Sequence, residues 1–179
     1  NASPIGDMTL LLLALDAELG IRGSHSGRTV PLREFFKGYK DLDLDRDEIV
    51  EWIRFDARHR SAHINFEKVS KRRHLDIASV NSAACLHVAN ERITEAHLSA
   101  GGVAPVPLRL TKTSDFLTGK PVAAATAVEA AAVALTEIDP ISDVRGSAVY
   151  KRLLLRQLIL AHFHALFGIE DGLLEEISA

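Results

Sequence analysis

From Asp76 to Ala100 the chain alternates in a way that paired strands satisfy. Ala78, Val80, Ser82, Ala84, Leu86 and Val88 fall on one face, and Ser79, Asn81, Cys85 and His87 on the other. After a turn at "ANER", Thr94, Ala96, Leu98 and Ala100 again share a side. A period of two is the strand period, so the segment predicts an antiparallel hairpin with one small-residue face covered by helices. Helical segments follow directly. "TSDFLTGKP" reads as a short capped helix, and "VAAATAVEAAAVAL" is built from the strongest helix former. "SAVYKRLLLRQLILAHFHALFG" places Leu154, Leu158, Phe163 and Leu166 on a wide apolar stripe, with Lys151, Arg152 and Arg156 off its densest part.

Upstream the pieces are shorter. The apolar run Leu10 to Leu15 is too short to span a bilayer, and Asp7 and Asp16 flank it where a leader sequence carries Lys or Arg. It reads as a buried helix, with Asp7 placed to cap it. "AELGIR", the turn "GSHSG" and "RTVPL" read as two strands joined by a polar turn. "DLDLDRDEIVEW" at 41 to 52 puts Asp41, Asp43, Asp45 and Asp47 at alternate positions, as a calcium loop does. Arg46 and Trp52 stand where such a loop needs Gly and a bidentate Glu, so the stretch reads instead as a solvated turn leading into a strand "EIVEWIRF". The fold class is α+β, in two units: a mixed strand-helix piece to about Ala62, then the hairpin with its helices.

Composition narrows the function. With 21 basic and 24 acidic residues among 179 and a net charge of −3, nothing advertises a nucleic-acid partner. The single cysteine, Cys85, excludes an internal disulfide framework and a cysteine-built zinc or iron-sulfur site, which points to a reducing, cytoplasmic compartment. The eight histidines never show metal-ligand spacing; His162 and His164, two apart, diverge around a helix. No Ser has the Gly-x-Ser-x-Gly setting of a hydrolase nucleophile, and "AGGV" reads as a turn. These readings assign no catalytic and no metal-binding residue.

Four stretches, in order, resemble the flavoprotein subunit or domain of the molybdenum hydroxylases, the family of xanthine dehydrogenase, aldehyde oxidase and aerobic carbon monoxide dehydrogenase. They are "NASPIGD" at 1, "RTVPLREFFKGY" at 28, "FEKVSKRRHLDIASV" at 66 and "ISDVRGSAVYKRLLLRQLI" at 141. The resemblance implies that residues 1–57 are the C-terminal half of an FAD-binding domain. Residues 62–168 would then be the family's C-terminal domain, a three-stranded antiparallel sheet packed with a helical bundle, and 169–179 a tail.

By the same resemblance the cofactor is FAD, and Asn1, Ser3, Asp7, Val50 and Lys68 are its binding residues. Asp7 matches an aspartate that accepts from FAD hydroxyls, while Asn1 and Ser3 share its turn. Val50 matches an apolar position near the flavin, and Lys68 a lysine near the isoalloxazine, where a cation favours negative charge on the ring. Val69 to Ser79 corresponds to a loop beside the ring, with Lys71, Arg72, Arg73 and His74 as its basic run. Many relatives carry an acidic residue near Leu75, and its absence leaves both NAD and oxygen open as acceptor, NAD being the first reading. Asp143, Arg145 and Tyr150 order the turn into the last helix and carry no chemistry.

The implied function is the FAD-binding component of a xanthine dehydrogenase-like enzyme, with the molybdenum cofactor and iron-sulfur clusters on other domains or subunits. The alternative is a flavin-free interaction module sharing the fold. As it stands, the chain is expected to be a fragment that binds no FAD tightly, catalyses nothing alone, and associates into a homo-oligomer built partly through residues 1–57.

Overall fold

The computed structural model describes residues 2–57, 61–72 and 74–169. The first part runs α1 (Asp7–Ala14), β1 (Glu18–Arg22), β2 (Gly27–Pro31), α2 (Leu32–Phe35), β3 (Phe36–Gly38), β4 (Asp41–Leu42) and β5 (Ile49–Arg54). The second runs β6 (His63–Val69), β7 (Val80–Ala89), β8 (Arg92–Gly101), β9 (Leu108–Arg109), α3 (Thr111–Leu117), α4 (Ala124–Ala134) and α5 (Ala148–Phe167). The strands form antiparallel sheets in the orders β2-β1-β5, β3-β4 and β6-β7-β8-β9.

The large sheet is the centre of the molecule, and it is covered on both faces rather than one. Val80, Ala84 and Leu86 of β7, with Ala96, Leu98 and Ala100 of β8, pack against Leu117, the alanines of α4 and the Leu154–Phe163 stretch of α5. On the opposite face Ala83 and Cys85 meet Leu10, Leu13 and Ala14 of α1. Short side chains on both faces let helix backbones lie close, and each leucine set against them contributes roughly 1.5–3 kcal/mol of burial. The sheet has three long strands and a two-residue fourth, β9. β6 is an edge strand of mostly intermediate exposure, so its sequence "HINFEKV" lacks the clean alternation that marks β7 and β8.

One side-chain assignment shifts by a residue. The β7–β8 register slips after His87, which pairs with Glu95, while Val88 pairs with Ile93. Thr94 is thus the extra residue of a bulge: it is exposed, and Ile93 takes the core position that strict alternation gave to Thr94.

The helices have local causes. In α4 the buried positions Thr126, Ala127, Ala130, Ala131 and Ala134 follow helical spacing. α5 starts at Ser147, whose hydroxyl accepts from the Tyr150 amide at 3.1 Å, and ends at Gly168 in the left-handed conformation, φ 65°. α3 has no cap of its own; Glu137 accepts from the Lys112 and Thr113 amides at 2.8 and 2.9 Å. Lys151 corrects the expectation that the basic residues of α5 lie off its apolar stripe. Its position aligns with Leu154, Leu155 and Leu158, and it is only 2% exposed.

In the small sheet, Gly20 of β1 sits opposite Trp52 of β5, and a Cβ at Gly20 would collide with the indole ring. The acidic stretch is spent on Arg28. Its guanidinium donates to Asp43 Oδ2 at 2.8 Å and to both Glu48 oxygens at 2.9 and 2.8 Å, and this pairing holds the Glu48 carboxyl down at about 2. Asp47 accepts from Ser24 Oγ at 2.6 Å. Every residue of β5 is exposed, including Ile49, Val50, Trp52 and Ile53.

Candidate functional site

Asp7 opens the first turn of α1, yet it does not cap the helix: the N-cap is Gly6, with no side-chain cap bond. Its carboxylate turns to the sheet instead. Lys68 Nζ of β6 donates to Asp7 Oδ2 at 2.8 Å, and Asn81 Nδ2 of β7 donates to Asp7 Oδ1 at 2.6 Å. Two of the residues that the family resemblance implies for FAD, Asp7 and Lys68, are therefore in direct contact although 61 positions apart. Sheet register brings this about, because Lys68 pairs with Asn81 and Asn81 pairs with Gly101 in one row across β6, β7 and β8.

The side chain of Asp7 stays 42% exposed and that of Lys68 28%. An ionised carboxylate has about four lone-pair sites, and Asp7 uses two of them here, so it keeps acceptor capacity toward solvent. The same amide of Asn81 also donates to the Ile5 carbonyl at 3.2 Å, and Gly102 N donates to the Pro4 carbonyl at 3.1 Å. The turn before α1 is thereby stitched to the sheet. Gly102 holds φ +79°, which favours glycine, and a Cβ there would press on Ile5.

Ser3 belongs to this turn, where its Oγ accepts from the Ile5 amide at 3.4 Å. Ser3, Pro4 and Ile5 form one wall of an open cavity of about 840 Å³, lined elsewhere by Tyr39, Ile77, Ile141 and Arg145 among others. Asn1 lies outside the described residues. Val50 pairs with Ile21 on β5 and borders neither the cavity nor the Asp7 cluster.

Loops 70–79 and 139–146 are tied together beside the cavity. Lys71 Nζ donates to the Val144 carbonyl at 2.7 Å, and Ser79 Oγ to the Arg145 carbonyl at 2.9 Å. Arg72 pairs with Asp76, leaving Leu75 almost fully exposed. Arg73 lies outside the described residues. Asp143, Arg145 and Tyr150 serve order: Asp143 accepts from the Arg145 amide at 2.9 Å and from buried Lys151 Nζ at 2.8 Å, and the Tyr150 ring covers Gly146. Burial raises the Asp143 carboxyl, but the Lys151 bond and charge together with the Arg145 and Gly146 amides more than offset it, so the group ends below its ordinary range. Among the described residues no three His, Cys, Asp or Glu side chains gather to hold a metal.

Sequence reading placed Asn81 on a strand face and gave it no role. Its signal was an amide on a face otherwise made of small or buried side chains, where a polar group needs a partner.

The fold and cluster define an α+β unit whose carboxylate–cation pair sits at a seam beside a ligand-sized cavity. The family model for the CO dehydrogenase flavoprotein C-terminal domain matches residues 66–166, and that for the FAD binding domain in molybdopterin dehydrogenase matches residues 1–55. Nicotinate hydroxylase of Emericella nidulans is 32% identical over 99% of this chain and 14% of its own length. The glyceraldehyde dehydrogenase medium chain of Sulfolobus acidocaldarius is 28% identical over 91% of this chain and 57% of its own. Carbon monoxide dehydrogenase from Hydrogenophaga pseudoflava superposes with a TM-score of 0.88 at 26% identity, over 93% of this chain and 58% of that one. The chain belongs to the family of FAD-binding components of the molybdenum hydroxylases. It spans little more than half the length of the medium-chain relative, and much less of the hydroxylase.

Proposed function

We propose that this chain serves as part of the FAD-binding component of a xanthine dehydrogenase-like oxidoreductase, with residues 1–57 as the C-terminal half of the FAD-binding domain, 62–168 as the C-terminal domain and 169–179 as a tail. The observation that carries this reading is the Asp7 carboxylate, held on one side by Lys68 and Asn81 and open to ligand hydroxyls on the other. FAD, when bound, supplies the redox chemistry. Asp7 would accept from its hydroxyls, Lys68 would set the local charge, Ser3 would contribute from the turn and Asn1 beside it in sequence, and Val50, apart from this cluster on β5, would offer apolar contact to another part of the cofactor. In the whole enzyme, electrons would come from iron-sulfur clusters on other domains or subunits served by a molybdenum-cofactor partner and would go to NAD, with oxygen as the alternative acceptor. A cytoplasmic site fits the lone thiol Cys85, which burial pushes up to about 11. Among the described residues no helix is long and apolar enough to cross a membrane.

In the complete flavoprotein, Asp7→Ala lowers flavin occupancy, since the hydroxyls it serves lose roughly 1–3 kcal/mol of charge-assisted bonding. Lys68→Ala mainly shifts the flavin reduction potential. Unchanged flavin content and potential in both purified variants would defeat the reading.

The 179-residue chain alone binds no FAD tightly. A pyrophosphate needs clustered backbone N–H donors, and the sole adjacent glycine pair, Gly101-Gly102, has its Gly102 amide bound to Pro4. Fluorescence titration checks this; micromolar binding at one site per chain would overturn it. A second reading, a flavin-free interaction module, draws support from the exposed apolar residues of β5, which would also join copies of the chain into a homo-oligomer.

A further inference from the structure

We propose that Asn81 is the positioning residue for the Asp7 carboxylate, the group that fixes where Asp7 presents its free lone pairs to the flavin hydroxyls. The proposal rests on the FAD-site reading above.

Asn81 is 0% exposed in the middle of the large sheet. Both of its amide hydrogens are committed, one to Asp7 Oδ1 at 2.6 Å and one to the Ile5 carbonyl at 3.2 Å. Its carbonyl oxygen, Oδ1, is buried and has no hydrogen-bond partner among the described residues. A buried amide oxygen left unbonded is costly, and an ordinary structural amide would rotate to relieve it. This one cannot. Rotation would set the oxygen against two acceptors, a carboxylate and a carbonyl. The side chain is therefore locked in one orientation with its donors toward Asp7 and the turn.

The neighbouring strand makes room for that orientation. Gly101 is the cross-strand partner of Asn81, and a Cβ on it would press on Asn81 Oδ1, on Leu10 Cδ1 at 2.9 Å and on Ile5 Cα at 3.2 Å. Lys68, the other cross-strand partner, reaches the second oxygen of the same carboxylate. One row of the sheet thus supplies a cation, an amide and a clearance to one side chain. Lys68 is a flexible stem that can follow a moving carboxylate, whereas the buried, doubly bonded amide cannot, so the geometry assigns the fixing role to Asn81.

A double-mutant cycle in the complete flavoprotein tests this, reading the FAD dissociation constant of the native protein, Asp7→Ala, Asn81→Leu and the double variant. Asn81→Leu keeps the side-chain volume and removes the donors. It is expected to weaken FAD binding about tenfold in the native background and to change nothing further in the Asp7→Ala background. An equal loss in both backgrounds would show that Asn81 only braces the fold and would overturn the proposal. So would native affinity in Asn81→Leu. If Asp7→Ala itself binds FAD as the native protein does, the site reading falls, and the positioning role with it. Should Asn81→Leu not fold, Asn81→Ser, too short to reach Asp7, runs the same cycle with the same expected outcomes.

Discussion

The two main sheets use their side chains in opposite ways. β7, the best-buried strand, reads Val-Asn-Ser-Ala-Ala-Cys-Leu over its buried stretch, while β5, exposed at every position, carries Ile49, Val50, Trp52 and Ile53. Bulk does not decide burial. β7 is buried because small side chains admit α1 on one face and α4 and α5 on the other, closing the sheet from both sides. β5 is the edge of a three-stranded sheet, and its large residues are surface waiting for cover.

This contrast can be broken at the closed side first. Asp143→Ala should cost about 3 kcal/mol in denaturant unfolding, because it removes the counter-charge of the buried Lys151 ammonium and leaves it the Ile141 carbonyl at 2.9 Å. The double variant with Lys151→Met should regain most of that loss. A deficit below about 1 kcal/mol in Asp143→Ala would mean the closed side tolerates a lone charge.

A second test uses pH. His162 is fully buried between α5 and the sheet, with Nε2 3.0 Å from Ser82 Oγ and Nδ1 3.0 Å from Asn65 Nδ2. Asn65 Nδ2, which also donates to Glu67, can only donate, so Nδ1 accepts and the proton sits on Nε2. Burial pushes the group down to about 3. Between that value and 6.5 the unfolded chain takes up a proton that the folded chain refuses, so stability is full above pH 6.5 and falls as pH drops toward 3. The slope should be about 1.4 kcal/mol per pH unit, and His162→Gln should remove it. Parallel stability–pH profiles for the two proteins would refute the burial of a neutral imidazole.

The smallest effect on stability belongs to the open side. Ile49→Lys with Ile53→Lys should move unfolding by only about 0.5 kcal/mol, as surface changes do, yet abolish self-association in light scattering. A native chain that is monomeric at high concentration would show that β5 is not an interface between copies.

Much of this was legible in the sequence because it depended on local period. The β7–β8 hairpin, the upstream strands β1, β2 and β5 and the helical segments α3, α4 and α5 follow from alternation, turn residues and helix-forming composition. What escaped reading depended on pairing between elements rather than on local period. The bulge at Thr94 and the edge strand β6 are set by pairing, the burial of Lys151 by a carboxylate in the preceding loop, and the engagement of Asp7 by residues 61 and 74 positions away. Local sequence made Asp7 a helix cap. The family likeness chose Asp7 and Lys68 separately, and only the register of the sheet shows that they are partners and that Asn81 is the third.

α1 belongs by position to the first unit and by contact to the second, since its leucines lie on Ala83 and Cys85 while Ser99 Oγ holds the Leu10 carbonyl at 2.8 Å. A nick in the connection between β5 and β6 would therefore yield two polypeptides that remain one particle in solution. The seam between the units is a shared wall, and any relative movement would have to drag a helix off a sheet.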